Sequence, residues 1–331
     1  MKGFLMLALL ALALLLLQCS GVYVPYYFEW NATTRAFENK TLPLPVGARA
    51  ISPTFLTDAP PEAFRYQAQF HQDQICNELF KDKRDGYFVD LAAHTWRGGS
   101  NTYVLEAFNA WQGVCIEANP VDLLGLLGNR KCKLFTNPVG AKTGEVVRFD
   151  FRMADKKLGP GYGGIVGAEF DNQNNSTATE LYTVTLADIL EHARAPRIMD
   201  YLSLDIEGAE FYAMKNFAFV NYTFLMITVE RPNRALHHLF TKNGYLFIAE
   251  LTGDKFGECM YLHHSIDGLV QHIDKYGHKG TASPAWFGQP RPYLLHPKWN
   301  NSIHHYQAIA HKIAVEMAHP NAPLNSLSTR S

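Results

Sequence analysis

The most informative change of pattern along the chain runs from Gly86 to Pro120. After the glycine, residues 87–92 (YFVDLA) are a short apolar, β-prone run broken only by Asp90, which reads as a buried parallel strand. A polar, glycine-containing turn follows. Ser100 then opens a helical pattern whose apolar positions are Val104, Leu105, Phe108 and Trp111. Residues 113–116 form a second strand that ends on the acidic Glu117, and Asn119-Pro120 starts the next helix. A strand, a polar turn, a helix and a strand ending in a carboxylate make the unit that binds a nucleoside in open parallel sheets. The turn lies at the carboxyl end of the first strand, and the acid of the second can take two ribose hydroxyls.

The rest of the chain extends this alternation. Residues 121–128 predict a short helix and 133–139 a third strand, while 145–151 alternate as a small added strand or hairpin partner. Residues 156–179 are rich in Gly and Asn and read as a flexible lid or surface loop. No strand feeds them and no Lys-Ser/Thr follows, as a phosphate-cradling loop would require. Thr185 caps a helix with Asp188 at its third position. Residues 201–204 are a buried strand with Asp205 at its end, and Glu207-Gly208 turns the chain into a helix through Asn216. Residues 224–229 are a strand ending at Glu230, and Arg231-Pro232 opens another helix. Residues 245–249 and 259–262 close the pattern as a hairpin. Parallel strands alternating with helices, then an antiparallel finish, describe an α/β doubly wound, mostly parallel sheet.

Around this domain, expected over 61–264, the pattern is looser. Residues 61–82 show helical spacing and predict a helix before the first strand. Residues 22–60, with five prolines, read as a linker or an arm lying on the domain. Residues 265–331 are a C-terminal extension with one predicted helix over 303–318 and a disordered end from Pro320.

The turn after the first strand reads DLAAHTWRGGSNT rather than G-x-G-x-x-G, so nothing marks the close backbone approach that a pyrophosphate needs. A ligand with a ribose and no pyrophosphate, such as S-adenosylmethionine, fits better. Two blocks, SNTYVLE through IEANP and YLSLDIEGAEFYAMKNF, resemble the FkbM-type methyltransferases, in particular the eukaryotic branch that includes the Star-like proteins. The likeness spans roughly residues 86–264 and implies a seven-stranded, class I (Rossmann-like) methyltransferase architecture. This chain has Ala92 where the family usually has glycine.

The candidate cofactor residues follow from that placement. Glu117 is assigned to the ribose hydroxyls and Asp90 to the amino end of the methionine part. His94, Ser100 and Asn101 line the turn, although Ser100 could serve only as a helix N-cap. Ala92 in the turn and Asn119 at the next helix complete the set. Methyl transfer to a hydroxyl needs an acceptor held in line with the methyl and a base within hydrogen-bond reach. Asp205 and Glu207 are placed for that work, with Glu230 as an alternative base or a metal partner. Acids at four strand ends, Asp90, Glu117, Asp205 and Glu230, share the edge of a parallel sheet where ligands bind. The paired histidines read as surface or core residues, since neighbours in a helix point apart.

Composition narrows the class. The 331 residues carry 47% hydrophobic and 18% charged side chains with a formal net charge of −1, which describes a globular protein and excludes nucleic acid as the main partner. Residues 1–21 are a targeting segment: Lys2, then an apolar run of about 15 residues, shorter than the roughly 20 that cross a bilayer. A signal peptide is favoured over a signal anchor, so a membrane partner is expected only if the segment stays uncleaved. Either way the body enters the secretory pathway, and sequons at Asn31, Asn39, Asn174, Asn175, Asn221 and Asn300 agree. Past Cys19, four cysteines allow three pairings. Cys76 with Cys259 is the first to test, and Cys115 and Cys132, within or beside strands, read as buried thiols. No Cys/His spacing suggests zinc, and no metal is assigned.

Two functions fit this sequence. One is an S-adenosylmethionine-dependent O-methyltransferase of the secretory pathway, acting on a hydroxyl of a glycan or small molecule. The other is a methyltransferase-like fold without catalysis, serving as a lumenal binding or trafficking module. Oligomeric state is left open.

Overall fold

The computed structural model describes residues 26–31, 36–41, 66–152, 160–173, 178–251 and 257–276. Strands β1 (Tyr26–Asn31) and β2 (Ala36–Thr41) pair as a hairpin. Helix α1 (Gln72–Leu79) precedes β3 (Tyr87–Leu91), α2 (Tyr103–Asn109) leads into β4 (Gln112–Ile116), and α3 (Pro120–Asn129) into β5 (Lys133–Phe135). Strands β6 (Val146–Asp150), β7 (Gly164–Ile165) and β8 (Thr179–Tyr182) form a separate antiparallel sheet in the order β7-β6-β8. Then come α4 (Leu186–His192), β9 (Ile198–Leu204), α5 (Glu210–Met214), β10 (Thr223–Glu230), α6 (Arg234–Lys242), β11 (Tyr245–Glu250), β12 (Glu258–His263) and α7 (Leu269–Tyr276).

The main sheet runs β11-β12-β10-β9-β3-β4-β5-β1-β2. Strands β10, β9, β3, β4 and β5 are mutually parallel, and β12 lies antiparallel between β10 and β11. These seven strands are the doubly wound α/β sheet that the alternation predicts. The order reverses between β3 and β9, which opens a crevice at their carboxyl ends.

Each parallel strand is apolar on both faces because helices cover both. Phe88, Cys115, Leu134 and Tyr201 face α1, α2, α3 and α7. Val89, Val114, Ile116 and Leu202 face α4, α5 and α6. Single polar side chains set where helices begin. Asn119 accepts from Val121 N ahead of Pro120, Thr185 from Asp188 N, and Asn233 from Leu236 N. Arg231-Pro232 therefore precedes the start of α6 rather than opening it.

Several expectations need correction. The strand expected over 133–139 stops at Phe135, because Thr136 to Pro138 turn the chain toward the small sheet. Within the stretch expected as a helix over 61–82, α1 covers only Gln72–Leu79. His71 before it has φ 63, and Asp73 is occupied as acceptor for Gln67 N and Ala68 N. The helix expected from Ser100 begins at Tyr103. Within 156–179, read as a flexible lid or surface loop, the described residues hold a 3-10 turn (Pro160–Tyr162) and β7.

The cysteine reading fails outright. Cys115 and Cys132 form a disulfide, and Cys76 and Cys259 are free and buried. Parallel pairing of β4 with β5 brings Cys115 beside the residues around Leu134, with Cα atoms of the two cysteines 5.7 Å apart. Cys76 and Cys259 instead belong to cores on opposite faces of the sheet.

The hairpin β1-β2 lies within the stretch 22–60 and adds to the sheet at β5. Leu269 and Ile273 of α7 pack into the same core as α1 to α3, so the packed unit continues past residue 264. The targeting segment 1–21 and the helix expected over 303–318 lie outside the described residues, as do the sequons at Asn174, Asn175 and Asn300.

Candidate functional site

One cavity of about 530 Å³ sits at the carboxyl ends of β3, β4, β9 and β10, at the point where the strand order reverses. All ten residues singled out from the sequence line it: Asp90, Ala92, His94, Ser100, Asn101, Glu117, Asn119, Asp205, Glu207 and Glu230. Its volume falls within the range of small-molecule sites.

The half of the cavity built by β3 and β4 is tightly hydrogen-bonded. Ala92 N and Ala93 N both donate to Ile116 O, which folds the turn back onto β4. Ala92 carries φ 67 and His94 φ 45, conformations that side-chain-bearing residues adopt at a cost. The buried carboxylate of Glu117 holds this arrangement: His94 N donates to one oxygen at 2.8 Å and Asn119 N to the other at 2.6 Å. Burial raises its pKa to about 7, against the lowering effect of those backbone donors. His94 Nδ1 lies 3.1 Å from Asp122 Oδ2, and that contact raises the imidazole pKa.

Below the turn, Asp90 accepts from Thr102 Oγ1 at 2.5 Å. Burial raises the Asp90 pKa, opposed by the charge of Arg130 and by the Thr102 bond. Arg130 is fully buried and donates to Thr102 Oγ1, Ser100 Oγ and Glu106 Oε1. Ser100 Oγ also accepts from Tyr103 N at 3.1 Å, in the manner of a helix cap. The polar atoms of Ser100 and Asn119 are thus largely used by the fold. Asn101 differs: its Nδ2 donates to Ser203 Oγ, while its buried Oδ1 has no partner.

The half built by β9 and β10 is rich in acid. Asp205 and Glu230 end the two strands, Glu207 sits in the turn between with φ 55, and Glu210 starts α5. Glu210 Oε1 accepts from Ile206 N and Gly208 N, which shapes that turn. Burial, then the charge of Glu230, pushes the Glu207 pKa up to about 8 and that of Asp205 well above its ordinary value. Glu258 on β12 is likewise raised to about 8, chiefly by burial. Among the described residues one cation answers them: Arg231 donates to Glu230 and Asp171 and lies 3.7 Å from Glu207.

The remaining walls come from residues that no sequence pattern marked. Gln67, Phe70 and Gln72 precede or open α1, and Asn137, Pro138 and Val139 follow β5. Phe149 and the Gly161–Ile165 stretch of the small sheet close the cavity from above. Gly161 lies on the His94 ring, where an added Cβ would come within 2.8 Å of it. At Gly164 a Cβ would meet Asn172 Nδ2 at 2.6 Å and Glu207 Cβ at 3.3 Å. The only advance signal of this roof was the density of glycine in 156–179.

The residues present suit S-adenosylmethionine. Glu117 can accept from a ribose, Ile116, Val139 and Phe149 give an apolar slot for a base, and the unpartnered Asn101 Oδ1 can take an ammonium. No curated protein and no solved structure matches the chain. Residues 90–247, from Asp90 in β3 into β11, do match the family model described as the methyltransferase FkbM domain.

Proposed function

We propose that the cavity binds S-adenosylmethionine and that the protein is an O-methyltransferase of the secretory pathway, acting on a hydroxyl of a glycan or small molecule. The observation that carries this reading is Glu117, a buried carboxylate at the end of β4 whose orientation is fixed by two backbone N–H groups at the rim of the cavity. When bound, the cofactor supplies an electrophilic methyl group on a sulfonium.

The chain's own residues supply position and a proton acceptor. Glu117 holds the sugar edge, Asn101 and Asp90 hold the amino end, and the Gly161–Ile165 roof limits water. Glu207 faces the acceptor half with a pKa of about 8, so it becomes ionised, and able to take the proton released by a hydroxyl, as pH rises through that value. The disulfide between Cys115 and Cys132 suits an oxidising compartment, and Asn221 is an exposed sequon residue. Among the described residues no helix is long and apolar enough to cross a membrane. The Star-like branch suggested by the sequence motifs agrees with that route.

Ala92 favours the second reading, a binding module without catalysis. Its Cβ is carried at φ 67 on the cavity wall, at a position where the resemblance to the family implies glycine. Calorimetry of the protein with S-adenosylmethionine, beside Glu117→Ala, separates the two. Micromolar binding that is lost in the variant supports the cofactor site. No heat of binding to a folded wild-type protein removes the enzyme reading.

A further inference from the structure

The acids of the β9-β10 half fall into two overlapping triads, each with carboxylate oxygens within 4.8 Å of one another. Asp171, Glu207 and Glu230 form the first, and their cation is built in. The Arg231 guanidinium donates to Asp171 and Glu230 and approaches Glu207 at 3.7 Å. Asp205, Glu210 and Glu230 form the second, in which Arg231 reaches only Glu230. Here Asp205 is partly exposed to the cavity, but its Oδ1 is buried and meets no hydrogen-bond donor. Leaving such an atom without a donor is costly, because water solvates it in the unfolded chain. Glu210 is only 4% exposed, and Glu258 stands behind the pair at 3%.

We propose that Asp205, Glu210 and Glu230 bind a hard divalent cation such as Mg²⁺, Mn²⁺ or Ca²⁺ at the floor of the cavity. Oxygen-only donors of this kind select hard cations over zinc or copper. Asp205 and Glu230 both line the cavity, so the ion stands on the acceptor side, where it can meet a hydroxyl or carboxylate oxygen of the ligand. The site does not depend on cofactor binding, so it is testable with the metal alone.

Mn²⁺ is titrated into the chelator-stripped protein at neutral pH and followed by calorimetry and by the loss of free Mn²⁺ in paramagnetic resonance. The expected result is saturable binding of one ion, weakened at least tenfold in the near-isosteric Asp205→Asn and Glu210→Gln and changed less than twofold in Asp171→Asn. Where a variant is poorly folded, the wild type alone decides, since bound Mn²⁺ or Mg²⁺ must raise its melting temperature above that in chelator. No saturation below about 10 mM, tenfold weaker than the weakest dedicated Ca²⁺ modules, overturns the proposal. So does equal affinity in Asp205→Asn, or a melting temperature indifferent to the metal.

Discussion

Two arginines flank the cavity, and their surroundings differ. Arg130 is buried with its side chain 1% exposed. It bonds Glu106, Ser100 and Thr102, and through Thr102 it steadies Asp90. Glu106 is itself saturated by Lys131 N and Cys132 N. Arg231 has its side chain 37% exposed, faces three carboxylates, and leaves its buried Nε without a partner. The first network is closed and holds β3, α2 and the start of β5 in place. The second carries surplus negative charge and an unfilled donor at the cavity edge. A closed polar network rigidifies a scaffold, whereas an unbalanced one marks where something else is meant to bind.

The largest test of that contrast is truncation. Arg130→Met leaves Glu106 and Asp90 buried without their cation and is expected to lower unfolding stability by about 3–5 kcal/mol. Arg231→Met removes a half-exposed ion pair, expected to cost under about 1 kcal/mol. Urea unfolding of both variants measures the difference. Similar losses in the two would erase the distinction between scaffold and open site.

A second test uses pH in the cofactor half. Glu117 ionises at about 7 in the folded protein against an ordinary 4.5, so the native state holds the extra proton between those values. Its contribution to stability is full below pH 4.5, falls as pH rises toward 7, and is flat above. In total about 3 kcal/mol is lost across that window. Glu210 and Glu258 slope the same way, so the Glu117 share is the difference between wild type and Glu117→Gln. Asp122 and His94, the charged groups facing Glu117, stay in both proteins. Binding of S-adenosylmethionine is expected to move oppositely, tightening as pH rises through 7, because ribose hydroxyls donate to the ionised carboxylate. A pH-independent affinity would take Glu117 out of ribose recognition.

The fold and the cavity were legible in the sequence to different degrees, for physical reasons. Strand-end acids and the switch from strand to helix period are local signals, so Asp90, Glu117, Asp205 and Glu230 were found and share one cavity. Arg130 was invisible because its role depends on α3 delivering it beneath α2, a long-range fact with no motif. The Cys115–Cys132 bond likewise follows from which strands are neighbours, and four cysteines without topology leave three equal pairings. The roof over the cavity was read only as a lid or surface loop, and its strand was missed because β7 is only two residues long and its glycines are selected by close approach to His94 and Glu207 rather than by any periodicity.

The smallest expected effect bears on whether the cofactor half still works. An alanine in the left-handed region costs about 1–2 kcal/mol, and glycine returns part of that as about 0.5–1 kcal/mol of lost backbone entropy on folding. Ala92→Gly is therefore expected to stabilise the protein by about 0.5–1 kcal/mol, read as a small upward shift of the melting temperature. Its effect on affinity carries the functional weight. If S-adenosylmethionine binds wild type and variant alike, the Cβ on the cavity wall is tolerated and the enzyme reading stands unaltered. If binding appears, or tightens tenfold or more, only after the Cβ is removed, then Ala92 is the residue that closes the site, and the intact acids around Glu117 serve a binding module rather than methyl transfer.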